Sequence, residues 1–524
     1  MTHPDAAGAG GDVPSVPSVR AVRAFVRARG RAPAGLIDRY VSVFGLCMLA
    51  AVLGQPLSTV LAGLEGAVAP GRTGAGIALV LLAFAGCLAV ARMAGPVMMP
   101  AAEASWLLMS PLNRRHLLGR TGRVLMVVAL VAGLLLGLGL LAALGAPGDL
   151  VWRLLGALAL GVAASVAGMA LAMLSQASQT WHVWLTGVLA ALLVLAVVAV
   201  SGQARTVLAA AANAPLPALA ATASAMAALA AVLARRAWKA LATIPTRLLL
   251  TASTRAGHVA DAAVTLDPGA LTWIAEDNHW RARKLSSRRW PALPAPLAPA
   301  RPRLAAPLAL AWSDWVRLGR RPWRLAATVA SAALPAVFAQ AGGAPVALAL
   351  AVLGGGLAVA ASGTSGARRD ADNPALARLA GVGRRPALAA RALLPALLGG
   401  TWAALALAGV AAAGGLPPGT WWFGLLSAPA LAAGALRMAR RGPVDHSMPV
   451  IDTPGGAIPT GPVMWAATGA DLALIGSLPA VVALATGPAE PGAFLAAQAL
   501  TGLTALASVL LRSRPDARSR PDAR

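Results

Sequence analysis

Residues 122–145 read GRVLMVVALVAGLLLGLGLLAALG. Beyond Arg123 the run carries no charge, and it is long enough to cross the bilayer, since about 30 Å of hydrocarbon takes around 20 apolar residues as a helix. Similar runs occur at Tyr40–Leu64, Gly74–Gly95, Val151–Leu174, Trp181–Ser201 and Thr206–Ala234. After a long polar stretch come Trp323–Ala341, Ala344–Gly363, Pro386–Gly414, Trp421–Met438, Met464–Thr486 and Gly492–Leu511. The expected fold is an all-α polytopic membrane protein of about 12 transmembrane helices, grouped as 6+6. Within Thr206–Ala234, Asn213, Pro215 and Pro217 interrupt the pattern, so a broken or re-entrant hairpin is open there alongside a full span.

Composition points the same way. Of 524 residues, 58% are hydrophobic before the 55 glycines are counted, and 12% are charged. A soluble domain is about 45–50% apolar with glycine included and about 25% charged. Cys47 and Cys87 both lie in apolar runs and read as packing residues, since neither a disulfide framework nor a zinc site follows from two isolated thiols. The first 20 residues are polar and rich in Gly and Pro, without the apolar core of a cleaved signal, so the first helix is expected to insert the chain.

The net charge of +25, from 44 Lys+Arg against 19 Asp+Glu, would suit nucleic acid, but its placement argues otherwise. With the N-terminus inside, Arg20–Arg39, Arg114–Arg123, Arg235–Arg324, Arg368–Arg391, Arg437–Arg441 and Arg512–Arg524 all fall on the cytoplasmic side. Only Arg72, Arg153 and Arg205 fall opposite. Positive charge near span ends stays inside, so the expected location is the cell membrane with both termini cytoplasmic, and no nucleic-acid partner is implied. Glycine and alanine dominate the runs, and Gly133 with Gly137 at GxxxG spacing suits close helix contact, because lipid gives helices no hydrophobic reason to associate.

The two halves correspond in order and content. Ahead of the first run, VRAVRAFVRARGR (19–31) puts Arg20, Arg23, Arg27 and Arg31 on one helical face and Val22, Phe25 and Val26 on the other. Ahead of the seventh, LAWSDWVRLGRRPWR (310–324) puts Asp314, Arg317 and Arg321 opposite Trp312, Trp315 and Val316. Both describe basic amphipathic helices at the membrane interface. Each half then runs as two spans, a loop with an arginine pair (Arg114–Arg115, Arg384–Arg385), and four spans. An even number of spans per repeat implies an axis along the membrane normal. The expected division is 1–39, a cytoplasmic tail with interfacial helix; 40–234, the first membrane half; 235–311, a Trp/Arg/Pro-rich cytoplasmic linker; 312–511, the second interfacial helix and half; and 512–524, a basic tail.

This arrangement resembles the permease subunit of ABC-2-type exporters, in which an interfacial helix precedes the first span and a coupling helix between spans two and three docks on an ATPase. The loop here reads EASWLLMSPLNRR, with Glu103, Leu107, Leu108, Pro111, Arg114 and Arg115 at the positions that the resemblance marks. In the second copy Asn373 stands in place of Glu103 and Gly381 in place of Pro111, so its docking contact should differ. The chain also looks like a poorly characterised actinobacterial multi-span family with Ala/Gly/Arg bias and a TPGGAIPTG-like loop (453–461). What the first resemblance implies is an exporter permease powered by a separate ABC ATPase subunit through Arg114–Arg115 and Arg384–Arg385.

No engine is written into the sequence. There is no GxxxxGK[ST] phosphate cradle, and neither of the two lysines, Lys239 and Lys284, follows a glycine-rich loop. No catalytic constellation, cofactor motif or metal-ligand set stands out. The DAD at 370–372 reads as charge balance, and Glu276, Asp277 and His279 read as a solvated helix begun by Asp267 and Pro268. Arg92 and Asp471 are the ionisable residues placed inside runs, near inner ends where side chains snorkel. A secondary active transporter of 6+6 design and a non-transporting membrane scaffold remain alternatives.

Overall fold

The computed structural model describes residues 69–99, 104, 114–146, 148–254, 302–373, 381–442, 444–445, 447–453 and 456–512. The expected first span Tyr40–Leu64, the 19–31 helix with Arg20, Arg23, Phe25, Arg27 and Arg31, and the acidic group at Glu276 lie outside the described residues. So do Cys47 and the basic tail from residue 513.

The first half contains α1 (Pro70–Ala94), α2 (Arg114–Leu144), α3 (Leu150–Ala177), α4 (Gln179–Val200), the short α5 (Arg205–Ala212) and α6 (Leu216–Ala240). The second contains α7 (Pro302–Gly319), α8 (Pro322–Ser331), α9 (Leu334–Gln340), α10 (Pro345–Ser362), α11 (Ser365–Asp372) and α12 (Arg384–Ala412). It continues with α13 (Trp422–Leu426), α14 (Ala428–Ala439), α15 (Thr460–Ala467), α16 (Ala470–Gly476), α17 (Leu478–Thr486) and α18 (Gly492–Leu511). The strands β1 (Val450–Thr453) and β2 (Gly456–Pro459) pair as a hairpin, a departure from the expected all-α chain.

Among the described residues, eight helices are long and apolar enough to cross a membrane: α1, α2, α3, α4, α6, α10, α12 and α18. The doubtful stretch at 206–234 resolves into the separate α5 and a 25-residue α6 that opens at Leu216 with Pro217 in its first turn. Proline is harmless there, because the first amides of a helix have no intrahelical partner to lose.

Three expected spans are instead broken helices. Trp323–Ala341 parts into α8 and α9 ahead of Pro335, Trp421–Met438 into α13 and α14 ahead of Pro429, and the later part of Met464–Thr486 into α16 and α17 ahead of Pro479. Each proline lacks the N–H that would bond the carbonyl four residues back. Water is absent from a bilayer core, so protein groups must take over. Gln498 on α18, fully buried, accepts from Ala480 N (3.0 Å) and donates to Gly476 O (2.9 Å), while Thr501 donates to the same carbonyl. At the α8–α9 break the Trp402 indole donates to Ser331 Oγ. The hydroxyls of Ser427 and Ser477, at the other two breaks, are buried without a hydrogen-bond partner.

The interior is made of small side chains and the outside of large ones. Val124, Val127, Val131 and Leu135 form an exposed stripe along α2, whereas alanines fill most of the buried positions. Cys87 lies exposed on the outer face of α1, not in packing. The predicted role of Gly133 and Gly137 holds: a Cβ at Gly133 would lie 2.5 Å from Val162 Cα, one at Gly137 would lie 2.7 Å from Ala157 O, and one at Gly161 would strike Gly133 O. The second half repeats the device, with Gly400 against Ala428 and Gly424 against the Ala404 backbone. In the first half α1 packs on α2, α3 and α4, and α3 packs on α2, α4 and α6. In the second, α10 packs on α12, α14 and α17, and α14 packs on α12, α16 and α18. Between the halves, α9 lies on α1, where Val337 joins Ala75, Ala78, Ala196 and Ala199.

Replacing Gly137 by Leu should therefore cost about 1–3 kcal/mol, the usual range for overpacking. Gly187→Leu on α4, where an added Cβ meets nothing within 4 Å, should cost far less. Reversible denaturation of the two detergent-solubilised variants makes the comparison.

Candidate functional site

The described elbows between helices gather at two ends of the bundle. At one end Arg153 donates to Ala212 O (2.8 Å) and Ala214 O (3.2 Å), fastening the start of α3 to the loop before α6. Arg72 lies on this end against Gly342, whose φ of 88° and whose proximity to the guanidinium both exclude a side chain. The opposite end holds the starts of α2 and α12 and most of the described arginines. It is the candidate site, because the predicted coupling loops open onto it.

Arg114 and Arg115 begin α2. Arg114 donates to Ile244 O (3.2 Å) and Thr246 Oγ1 (2.9 Å), and Arg115 donates to Lys239 O (3.3 Å). The pair thus clasps the chain that leaves α6, and only Arg115 of the two is exposed. Glu103, Leu107, Leu108 and Pro111 lie outside the described residues, so the elbow's middle has no structural account. Seven residues into α2, Thr121 donates to Met98 O, while Gln176 accepts from Val97 N and Ser253 from Met99 N. Neutral hydrogen bonds therefore hold the chain between α1 and α2.

Arg384 and Arg385 begin α12 in the same way, both exposed. Seven residues in, the corresponding position is Arg391, which the charge count had assigned to a loop. It lies inside α12 with its side chain 6% exposed. Its Nη1 donates to Asp314 Oδ1 on α7 at 2.7 Å. Its Nε and Nη2 donate to the two carboxylate oxygens of Asp370 on α11 at 2.8 and 3.1 Å. Arg317 stands 3.6 Å from Asp314 one turn along α7. Burial pushes the Asp314 carboxyl above its usual range, and the Arg391 guanidinium opposes that rise. An arginine this deep needs carboxylates fixed around it, since isolated burial of a charge is far costlier than burial of a hydrogen-bonded pair.

This corrects the reading of α7. Asp314 turns into the bundle, Arg321 is buried too, and Trp315 faces outward at 43% exposure, while Trp312 and Arg317 are half-buried. The polar side of the helix meets Arg391, not water. α7 also begins at Pro302, ahead of the expected boundary at 312. The charge-balance reading of Asp370 agrees with its bidentate pairing. Arg92 and Asp471 are likewise engaged, Arg92 with His182 at 2.9 Å and Asp471 with Arg437 at 3.1 Å. The reading of the apolar runs passes over Arg391, although LAARALLPALL shows a lone arginine in an apolar run that needs a counter-ion.

Among the described residues no group of three or more His, Cys, Asp or Glu is placed to hold a metal. Near each Arg-Arg start, a side chain seven positions further on ties one membrane helix to the segment leaving the preceding one.

A multi-pass helical membrane protein with basic elbows at one end is the class that fold and site define. Residues 69–449 match a family of unknown function, DUF6297, and the chain belongs to it. No curated protein and no solved structure matches it.

Arg391→Met leaves Asp314 buried beside a neutral chain and should cost about 3–5 kcal/mol, as for breaking one side of a buried pair. Adding Asp314→Leu should recover most of that loss, because Asp370, with its side chain 27% exposed, can be solvated. A double-mutant cycle by denaturation measures the coupling.

Proposed function

We propose that this chain is the membrane-spanning permease component of an ABC-2-like exporter, driven by a separate ATPase subunit that docks on its arginine elbows. The observation that carries the reading is the correspondence of α2 and α12. Both start at an arginine pair, both reach from the position seven residues beyond that start to the segment leaving the preceding helix, and both use glycine to meet the next helix. α1 packs on α2, α3 and α4 as α10 packs on α12, α14 and α17, and α3 packs on α2, α4 and α6 as α14 packs on α12, α16 and α18. In addition α1 meets α5 and α9, and α10 meets α9 and α16. These matches support a 6+6 parallel duplication, with the eight continuous spans, the three broken ones and Tyr40–Leu64 making about 12. The excess of arginine at the elbow end supports a cell-membrane protein with that end, and both termini, in the cytoplasm.

In this reading the elbows carry a push into α2 and α12. A helix tied at its start by several hydrogen bonds moves with whatever holds its elbow, so rocking of the two halves would expose the cargo path alternately. ATP chemistry belongs to the partner, and the permease itself is not an enzyme. No cofactor is required of it.

A secondary active transporter is the second reading, and the breaks at Ser427 and Ser477 favour it. Discontinuous helices with unsatisfied buried hydroxyls are the kind of place where carriers bind substrate or coupling ion. A non-transporting scaffold is the third.

Affinity purification of the full chain from its native membranes separates these. The exporter reading expects a stoichiometric P-loop ATPase, lost when the exposed Arg115, Arg384 and Arg385 are changed together to Glu while thermal stability holds. Gradient-driven uptake by the purified chain alone in liposomes, with no ATPase recovered, would replace that reading with the carrier. Neither activity would leave the scaffold.

A further inference from the structure

Near the elbow end, α2, α3 and α6 do not close completely on one another. They leave a cavity of about 140 Å³ lined by Gly122, Arg123, Met126, Met169, Met173 and Trp238, among others. Gly122 makes the room: its missing side chain lets the Trp238 ring cross α2, and a Cβ there would stand 3.1 Å from the ring. Met126, Arg123 and Trp238 are all exposed, so the cavity opens on the outer face of the bundle, where the long apolar stripe of α2 begins. Methionine walls are soft and adapt to a flexible apolar guest. A dry cavity of about 150 Å³ accepts a benzene-sized molecule, so only a few methylenes fit here.

The mouth is as one-sided in charge as the wall is apolar. Arg123 is part of the lining, and Arg120, Arg235, Arg236 and Lys239 are exposed on the same ends of α2 and α6. Among the described residues no carboxylate pairs with any of these side chains. A tryptophan at this level is the residue type that marks the boundary between acyl chains and headgroups.

We propose that this pocket is a binding site for one anionic phospholipid. Its phosphate lies on Arg123 and the surrounding basic side chains, and the first methylenes of one acyl chain enter between Met126, Met169 and Met173 against Trp238. The rest of the chain runs along the outer stripe of α2. Such a lipid would wedge α6 against α2 and α3 beside the clasp that Arg114 makes with Ile244 and Thr246, which places lipid charge next to an elbow. The site does not depend on the exporter reading.

The test uses the full chain purified in neutral detergent and mixed with phosphatidylglycerol or phosphatidylcholine, with retained lipid counted by native mass spectrometry. Phosphatidylglycerol should be preferred, and Arg123→Gln, at an exposed position, should cut its retention about fivefold, the effect of one basic residue at an anionic membrane surface. With phosphatidylglycerol brominated near the headgroup end of its chains, wild-type fluorescence should be quenched more than that of Trp238→Phe. Ala234→Leu, which fills the cavity from α6, should remove that difference. Equal retention of both lipids, or quenching unaffected by Ala234→Leu, overturns the proposal. Displacement of the lipid by millimolar inorganic phosphate alone would also overturn it, by showing an anion site with no use for the acyl chain.

Discussion

A backbone in lipid cannot borrow hydrogen bonds from water, and this structure depends on that constraint. Where a helix runs unbroken the requirement is met from within, and what remains is to hold helices together without a hydrophobic gradient. The α2–α3 seam shows the solution, with Gly133, Gly137 and Gly161 bringing the two backbones into contact so that dispersion and weak polar contacts replace the missing drive. Where Pro479 interrupts a helix, side chains on a neighbour finish the backbone's hydrogen bonding. Gln498 does so twice over, which explains a fully buried amide in an otherwise apolar helix.

The halves answer this constraint differently. The described part of the first is built of uninterrupted spans, and its elbow is held by arginine and neutral side chains bonded to uncharged acceptors. The second places its breaks in three helices and fastens its elbow with buried charge. Breaks and buried ion pairs share one property: each has strongly directional partners, so its geometry is either kept or lost and does not deform gradually.

Much of this was legible in the amino-acid order. Apolar run length located all eight continuous spans, and the Gly133–Gly137 spacing located the tightest seam. Run length could not see the breaks, because Ser-Ala-Pro at 427–429 and Ser-Leu-Pro at 477–479 are apolar enough to be averaged into one segment. Their prolines were the signal, since a proline inside an apolar run predicts a break whenever a neighbour can complete the backbone. Yet Pro395 lies within the unbroken α12, so a proline inside an apolar run does not by itself decide a break. Amphipathicity found α7 but turned it the wrong way. A helical wheel assigns a polar face to water by default, and only the position of Arg391 reveals that the partner of Asp314 is another side chain.

The contrast between Thr121 and Arg391 bears most on how such a bundle works. Both stand at the same register from an arginine pair, and both reach the segment leaving the preceding helix. A threonine hydroxyl gives one hydrogen bond to one carbonyl. A guanidinium with five donors spans Asp314 on α7 and Asp370 on α11, so three elements of the second half move as one body. A force applied at Arg384 would therefore reach the amphipathic α7 as well as α12, whereas a force applied at Arg115 would reach α2 and the chain behind α6. Each half thus places a polar side chain seven positions beyond an arginine pair, and the chemistry of that side chain decides how many elements are tied together there.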